Sequence, residues 1–259
     1  MTNMAVETYQ TIAKAAKVLE ALGNADVDSM RAADVERVVN FGASTTVRLL
    51  TSLEAYGLVT RTDDQQYALG AEILRLSSQK LNHDPLFRES RVLCEALAQE
   101  TGLNAYVIKE ENGAPVYICN FEGRLSPKNR TLIGLAVSMH ASAMGKCLMM
   151  DMTEEERRAK LGDELVPFNS KTVRTHEELT RQIEEGRRCG YCIEDQEVSF
   201  GRLCIAAPIR DASEKICASI SVAGRLSTMR KIGVDELAEQ VLEAADRISV
   251  NLGMIGGNH

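Results

Sequence analysis

The segment Cys217-Ala218-Ser219-Ile220-Ser221-Val222-Ala223 alternates polar or small with apolar side chains. At the two-residue period of a strand, Ser219 and Ser221 share one face and Ile220 and Val222 the other. Paired hydroxyls on one face suit a small polar ligand, and a solvent-exposed sheet face accounts for the same pattern. Cys189-Gly190-Tyr191-Cys192 has the spacing of redox and zinc sites. It lacks a second pair or a thioredoxin-like setting, and no histidine follows His176 except His259. Cys147 or Cys204 with His140 supplies the residue types of a thiol nucleophile, without a supporting motif. No phosphate-binding glycine loop, paired-histidine metal motif or nucleophile elbow occurs. The residues favour binding over catalysis. A thiol- or metal-dependent enzyme is the rival class.

A second group of binding residues lies near the N-terminus. Ser44 is a good helix N-cap, and Val47, Leu50 and Leu53 then form one apolar stripe. Thr45, Arg48 and Ser52 face away from it. On a DNA-recognition helix, Arg48 reaches a guanine edge or a phosphate, while Ser44 and Thr45 sit at the positive helix end that suits phosphate oxygens. Arg61 follows at the start of a short hairpin, where a contact to the DNA backbone or minor groove is expected. A solvated surface arginine is the competing account of Arg48.

The elements that must position these groups follow from periodicity. Ile12, Ala15, Ala16, Leu19 and Leu22 mark a first helix, broken at Gly23-Asn24. A second, from Met30 to Asn40, buries Val35, Val38 and Val39 and stops at Phe41-Gly42. After the third, Leu58–Thr60 and Gln66–Leu69 flank the turn Asp63-Asp64-Gln65 and form a hairpin. Three helices and a hairpin in this order are a winged helix-turn-helix, or else a three-helix bundle that only binds protein. A helix from Ala71 to Leu81 leads to Asn82-His83-Asp84-Pro85, the expected domain boundary.

Beyond the boundary, a helix over Leu86–Thr101 precedes strands at Ala105–Lys109 and Val116–Phe121, joined by residues 110–114. Residues 122–131 read as an exposed loop. A helix starts near Ser142. Capping boxes at Thr153/Glu156 and Thr175/Glu178 open two more. Strands are expected at Tyr191–Ile193, Leu203–Ile209 and Ile216–Ala223, then a last helix over Asp235–Leu252. The fold class is α+β.

Bulk properties bound these readings. The 259 residues, 44% hydrophobic and 26% charged, supply two cores at roughly 100–200 residues per domain. The net charge of −7 argues against a nucleic-acid partner on charge alone, and residues 1–82 carry eight basic against ten acidic side chains. DNA binding therefore rests on pattern. Met1–Gln10 lacks a signal peptide's basic and apolar regions, and no apolar run reaches the roughly 18–20 residues of a membrane span. A soluble, cytoplasmic protein with seven reduced cysteines is expected.

Three stretches carry a family resemblance. The first is Ala43 to Val59 with Tyr67-Ala68-Leu69-Gly70. The second is Met139-His140-Ala141-Ser142-Ala143-Met144-Gly145-Lys146. The third runs from Gly190-Tyr191 through Cys204-Ile205-Ala206-Ala207-Pro208-Ile209 to Ser219-Ile220-Ser221-Val222-Ala223-Gly224. In this order behind a winged helix, they resemble the IclR family of bacterial transcriptional regulators over nearly the whole chain. The resemblance implies a winged helix-turn-helix DNA-binding domain (residues 1–69), a linker helix and hinge (70–84), and a GAF-like antiparallel-sheet domain with helices that binds an effector (85–259). It implies a repressor of a catabolic operon, with double-stranded operator DNA, a small and often carboxylate effector, and a second copy of the chain as partners. Many members pair dimers into tetramers. No membrane, metal or cofactor is implied. A sensor whose helical domain binds protein is the rival within this fold.

Carried over by position, the resemblance places the N–H groups of Ala143 and Met144 against the effector's anionic end, with Cys204, Ser219 and Ser221 nearby. Glu194 stands where a pocket aspartate is common, and Ala223 where a second serine occurs. An ionised Glu194 would repel a carboxylate, so it is expected to hold a proton or to face a donor group on the ligand.

Overall fold

The computed structural model describes residues 9–126 and 131–254. The expectations for Met1–Thr8, for residues 127–130 of the loop and for His259 lie outside the described residues. The chain divides into two units between His83 and Asp84.

In the first unit, α1 (Gln10–Gly23), α2 (Ala32–Val39) and α3 (Ala43–Ala55) precede an antiparallel hairpin, β1 (Val59–Arg61) and β2 (Tyr67–Leu69), and then α4 (Ala71–Asn82). Val18, Leu22, Val35, Leu49, Leu50, Leu53, Val59 and Tyr67 form its core. The apolar stripes differ from expectation by a fraction of a turn. In α1 the fully buried residue is Val18, while Ile12 is exposed. In α2 Val35 alone is buried and Val38 is exposed. In α3 the buried stripe is Thr46, Leu49, Leu50 and Leu53, and Val47 lies outside it. A threonine takes the core position because its Oγ1 donates back to the Gly42 carbonyl at 3.1 Å, so no unmet donor is buried. Gly42, not Ser44, is the N-cap of α3: its φ of 81° turns the chain out of α2 in a conformation that favours glycine.

The second unit runs α5 (Pro85–Thr101), β3 (Asn104–Glu111), β4 (Ala114–Phe121), α6 (Ala143–Leu148), α7 (Glu154–Leu161), α8 (His176–Cys189), β5 (Cys192–Asp195), β6 (Arg202–Arg210), β7 (Ile216–Arg225), α9 (Leu226–Ile232) and α10 (Val234–Asn251). The strands form one antiparallel sheet in the order β4-β3-β7-β6-β5. In place of the expected five-residue link between β3 and β4, Asn112 and Gly113 make a two-residue turn with φ of 51° and 83°. This left-handed pair matches the twist of a hairpin, so both strands run longer. The loop after β4 is not wholly exposed: Gly123 is buried, and Ser126 Oγ accepts from the Asn104 N–H at 3.1 Å.

Both faces of the sheet are covered. On one, Leu97 of α5 and Val241 and Ile248 of α10 pack on Val107, Ile205, Ile220 and Val222. On the other, α6 and α8 cover Tyr106, Ile108, Cys204, Ala206 and Ala223. The serine side of β7 is thus interior, and the exposed-face account of its alternation is excluded. Among the described residues no helix is long and apolar enough to cross a membrane.

Candidate functional site

On α3, Ser44, Arg48 and Ser52 are exposed on one face, and Thr45 is half-buried at its edge. Val47, expected in the core, joins the exposed face. The Ser52 hydroxyl donates to the Arg48 carbonyl at 2.8 Å, which leaves its oxygen able to accept. Arg61 ends β1, and its guanidinium lies 5.6 Å from the Tyr67 ring centroid, which holds it at the root of the wing.

In the second unit the serines are fully buried, and neither Oγ has a hydrogen-bond partner. Ser219 lies beside the Cys147 thiol and Ser221 beside Cys204, close enough to favour the thiolates but without hydrogen-bond geometry. An unmet buried hydroxyl costs about 1–3 kcal/mol, so a polar group brought to this face would be stabilised by either serine. Strand register extends this face sideways. Ser221 sits opposite Tyr106 on β3 and Ala206 on β6, and Cys204 sits between Ala223 and Glu194.

Above the face, Ser142 caps α6 by accepting from the Gly145 N–H at 3.0 Å. Gly145 must be glycine because a Cβ there would meet the Met139 carbonyl oxygen at 2.2 Å. Ala143 and Met144 are buried in the same cluster as Cys204. The helix they open has only six residues, so its dipole is small.

Glu194 has a partner on its own chain that the sequence does not single out. It is fully buried, its Oε2 pairs with the Arg202 guanidinium, and its Oε1 accepts from the Val198 N–H at 3.1 Å. Burial raises its pKa, against the pull of Arg202. Burial opposes the charge on Arg202 too, but Cys204, Glu194, Tyr117 and Tyr106 outweigh it and raise its pKa. The Tyr117 phenol, on β4, is pushed up to about 12 by burial. Its ring centroid lies 5.5 Å from that of Tyr106.

Arg202, Tyr106 and Tyr117 are absent from the residues that the sequence singles out. The two-residue period places Arg202 on the face of Cys204, but only strand register shows that β3 and β4 meet that face. A second buried ion pair, Lys146 with Glu197, is likewise invisible in the sequence.

Every cysteine thiol whose pKa departs from the ordinary value is raised. Burial raises Cys94 and Cys147 well above the ordinary value, Cys119 to about 12, and Cys204 and Cys217 to about 11. A nucleophilic cysteine needs the opposite shift. All seven cysteines are unpaired, and Cys192 of the Cys-x-x-Cys pair is buried. Among the described residues no three His, Cys, Asp or Glu side chains converge as a metal site would require. A cleft of about 490 Å³ between α8 and β5, lined by Arg181, Glu185 and Ile193, involves none of the expected effector residues.

Residues 11–63 match the IclR helix-turn-helix domain, and residues 78–250 match the bacterial transcriptional regulator IclR C-terminal domain. The HTH-type transcriptional regulator XynR of Escherichia coli K12 is 24% identical over 246 residues, 94% of this chain and 97% of that protein. Transcriptional repressor IclR of the same organism is 25% identical over 256 residues, covering 97% and 93%. The fold is that of the IclR regulator from Alicyclobacillus acidocaldarius, with a TM-score of 0.83 at 21% identity over 95% of this chain and 100% of that one. An IclR homologue from Microbacterium hydrocarbonoxydans, solved with 4-hydroxybenzoate, superposes at 0.81 with 22% identity over 93% and 98%. Regulators, not enzymes, are what these relatives are named. The chain belongs to the IclR family of bacterial transcriptional regulators and is a DNA-binding, ligand-responsive regulator.

Proposed function

We propose that this chain represses a catabolic operon and is released from, or repositioned on, its operator by a small organic acid bound at the serine face. The two buried, unpartnered hydroxyls of Ser219 and Ser221 carry this reading. A polar ligand would satisfy them, with Cys204, Glu194 and the N–H groups of Ala143 and Met144 around it. Ser44, Thr45, Arg48, Ser52 and Arg61 contact DNA. The domains are residues 1–69 for DNA, 70–84 for the link and 85–259 for the effector. Two relatives, transcriptional repressor IclR and the acetate operon repressor of Salmonella typhimurium, bear repressor names, which supports the sign of the response.

The repressor acts as a dimer, because one recognition helix reads too few base pairs and a two-fold pair reads a palindrome. None of the residues of α4 is buried, and Leu74 is 71% exposed. The apolar side of that helix suits a second copy. Coupling requires only that effector and DNA prefer different arrangements of the pair. Gel-shift titration on the DNA upstream of the chain's own gene, with and without candidate acids, tests the reading. Retention on DNA that is indifferent to sequence and to every acid would refute it.

A further inference from the structure

We infer that Arg202 is the anion anchor of the effector site and Glu194 its resident counter-ion, so that an organic acid binds by taking Glu194's place on the guanidinium. This rests on the serine face being the effector site. It adds a charged residue there and the exchange by which that residue takes a carboxylate.

Arg202 is the more accessible member of the pair: its side chain is 27% exposed and that of Glu194 is 0% exposed. Arg202 has the Tyr106 and Tyr117 phenols and the Cys204 thiol for neighbours, and Cys204 adjoins the unpartnered Ser221 hydroxyl. The other cation of this region, Lys146, is fully enclosed in its pair with Glu197, with 0% of its side chain exposed. Same-face residues along a strand are roughly 7 Å apart, which is the step from Cys204 to the level of Ser221. The occupant is therefore compact: a carboxylate at Arg202 and a hydroxyl or carbonyl oxygen at Ser221.

Displacement leaves Glu194 without its cation. Its surroundings are Arg202 and Cys204 on β6, Tyr117 on β4, Glu197 after β5 and Lys146 on α6. Two carboxylates cannot share one guanidinium in a buried site without cost, and burial already disfavours the charged form of Glu194. Glu194 then takes one proton from solvent for each ligand carboxylate bound. No covalent bond other than that O–H forms or breaks. Above the pH at which Glu194 is ionised in the free protein, the apparent Kd rises about tenfold per pH unit.

The test is calorimetry on the full chain at pH 6 and pH 8, in buffers of different ionisation heat. The probes are acetate, lactate, benzoate and 4-hydroxybenzoate, each beside its methyl ester. At least one acid should bind, its ester should bind at least tenfold more weakly, and binding at pH 8 should take up about one proton. Glu194→Gln should abolish the uptake. Arg202→Met should weaken the acid about 10- to 100-fold. The Glu194→Gln/Arg202→Met pair should do the same without leaving a buried unpaired charge, which guards against misfolding of the single variant. Acid binding unchanged in the double variant, the absence of proton uptake, esters binding as well as acids, or no acid binding at all would each overturn the exchange. Ligand binding that Ser221→Ala weakens but the Arg202 variants do not would overturn it while leaving the effector site in place. Binding indifferent to both would remove the site as well.

Discussion

Lys146 on α6 and Glu197, fifty-one residues later in the loop after β5, form an ion pair in which the ammonium is fully buried. The same loop is held from the other side. Thr172 Oγ1 donates to the Glu197 carbonyl at 2.6 Å, Asn169 Nδ2 donates to the carbonyls of Gln196 and Glu197, and the Val173 N–H reaches Glu197 Oε2 at 3.4 Å. The pair therefore ties the helix above the serine face to the loop that carries Glu194's backbone partner, Val198.

Removing one member leaves the other charge buried. Lys146→Met should destabilise the second unit by about 3–5 kcal/mol, whereas Lys146→Met with Glu197→Leu should cost much less. Burial raises the pKa of Glu197. Without Lys146 that shift grows, so the folded state holds a proton that the unfolded state has released. The single variant's deficit should therefore widen as pH rises above the ordinary glutamate value of about 4.3. Urea unfolding at pH 5 and pH 8 checks both statements. Equal destabilisation of single and double variants would contradict the first.

His140 gives the opposite slope. Burial lowers its pKa, against the carbonyl of Val166, which accepts from Nε2 at 3.1 Å. Ser138 Oγ lies 3.3 Å from Nδ1 and donates to it in this neutral tautomer. Below the ordinary histidine value of about 6.5 the unfolded chain binds the extra proton and the folded chain resists it. Stability should thus fall as pH drops through that value, and His140→Gln should lose this part of the slope. Parallel unfolding titrations of wild type and variant from pH 5.5 to 7.5 measure the difference. Curves that stay parallel would place the titration elsewhere.

Asp84 is the first residue of the second unit. Asp84 caps α5 by accepting from the Leu86 N–H at 3.0 Å, and its other oxygen takes the Lys109 ammonium at 2.7 Å. A fragment beginning at Asp84 should fold alone, and one beginning at Pro85 should be less stable by about 1–2 kcal/mol. Circular dichroism melts of the two fragments decide it. A fragment from Asp84 that is unfolded would refute the division.

What is legible in the sequence follows from the range of the signal. Strand alternation at Ser219 to Val222, the helix start near Ser142 and the capping box at Thr153/Glu156 are local, and each appears where the residues place it. At Thr175 only the hydroxyl's half of the expected box forms, by accepting from the Glu178 N–H. The stripes of α1 to α3 are shifted because weakly apolar helices tolerate a rotation: alanine reads as core at Ala16, where the chain instead buries Val18, and a threonine that bonds its own turn reads as surface. Arg202, Tyr106 and Tyr117 converge only through the order β4-β3-β7-β6, which no local pattern encodes. For the same reason Glu194's partner is hidden in the sequence, although it stands only eight residues away.

Arg48 offers the sharpest test of the DNA-binding face. It is exposed on α3 between Ser44 and Ser52, one turn from each, and it forms no ion pair among the described residues, so its charge is available to a ligand. Little else compensates, because the residues before the boundary carry more acidic than basic groups. A base-edge role and a phosphate role then predict different effects. If Arg48 reads a guanine, Arg48→Ala should weaken operator binding by about 1–3 kcal/mol and relax preference at one base pair per half-site. If it holds a phosphate, the variant should bind all sequences less tightly, and the slope of log K against log salt should become shallower by about one for each phosphate that the arginine neutralises. The unfolding midpoint should not move in either case, since the side chain is exposed. Gel shifts on operator and scrambled DNA across a salt series separate the two. Unchanged affinity, preference and salt slope would take Arg48 off the interface.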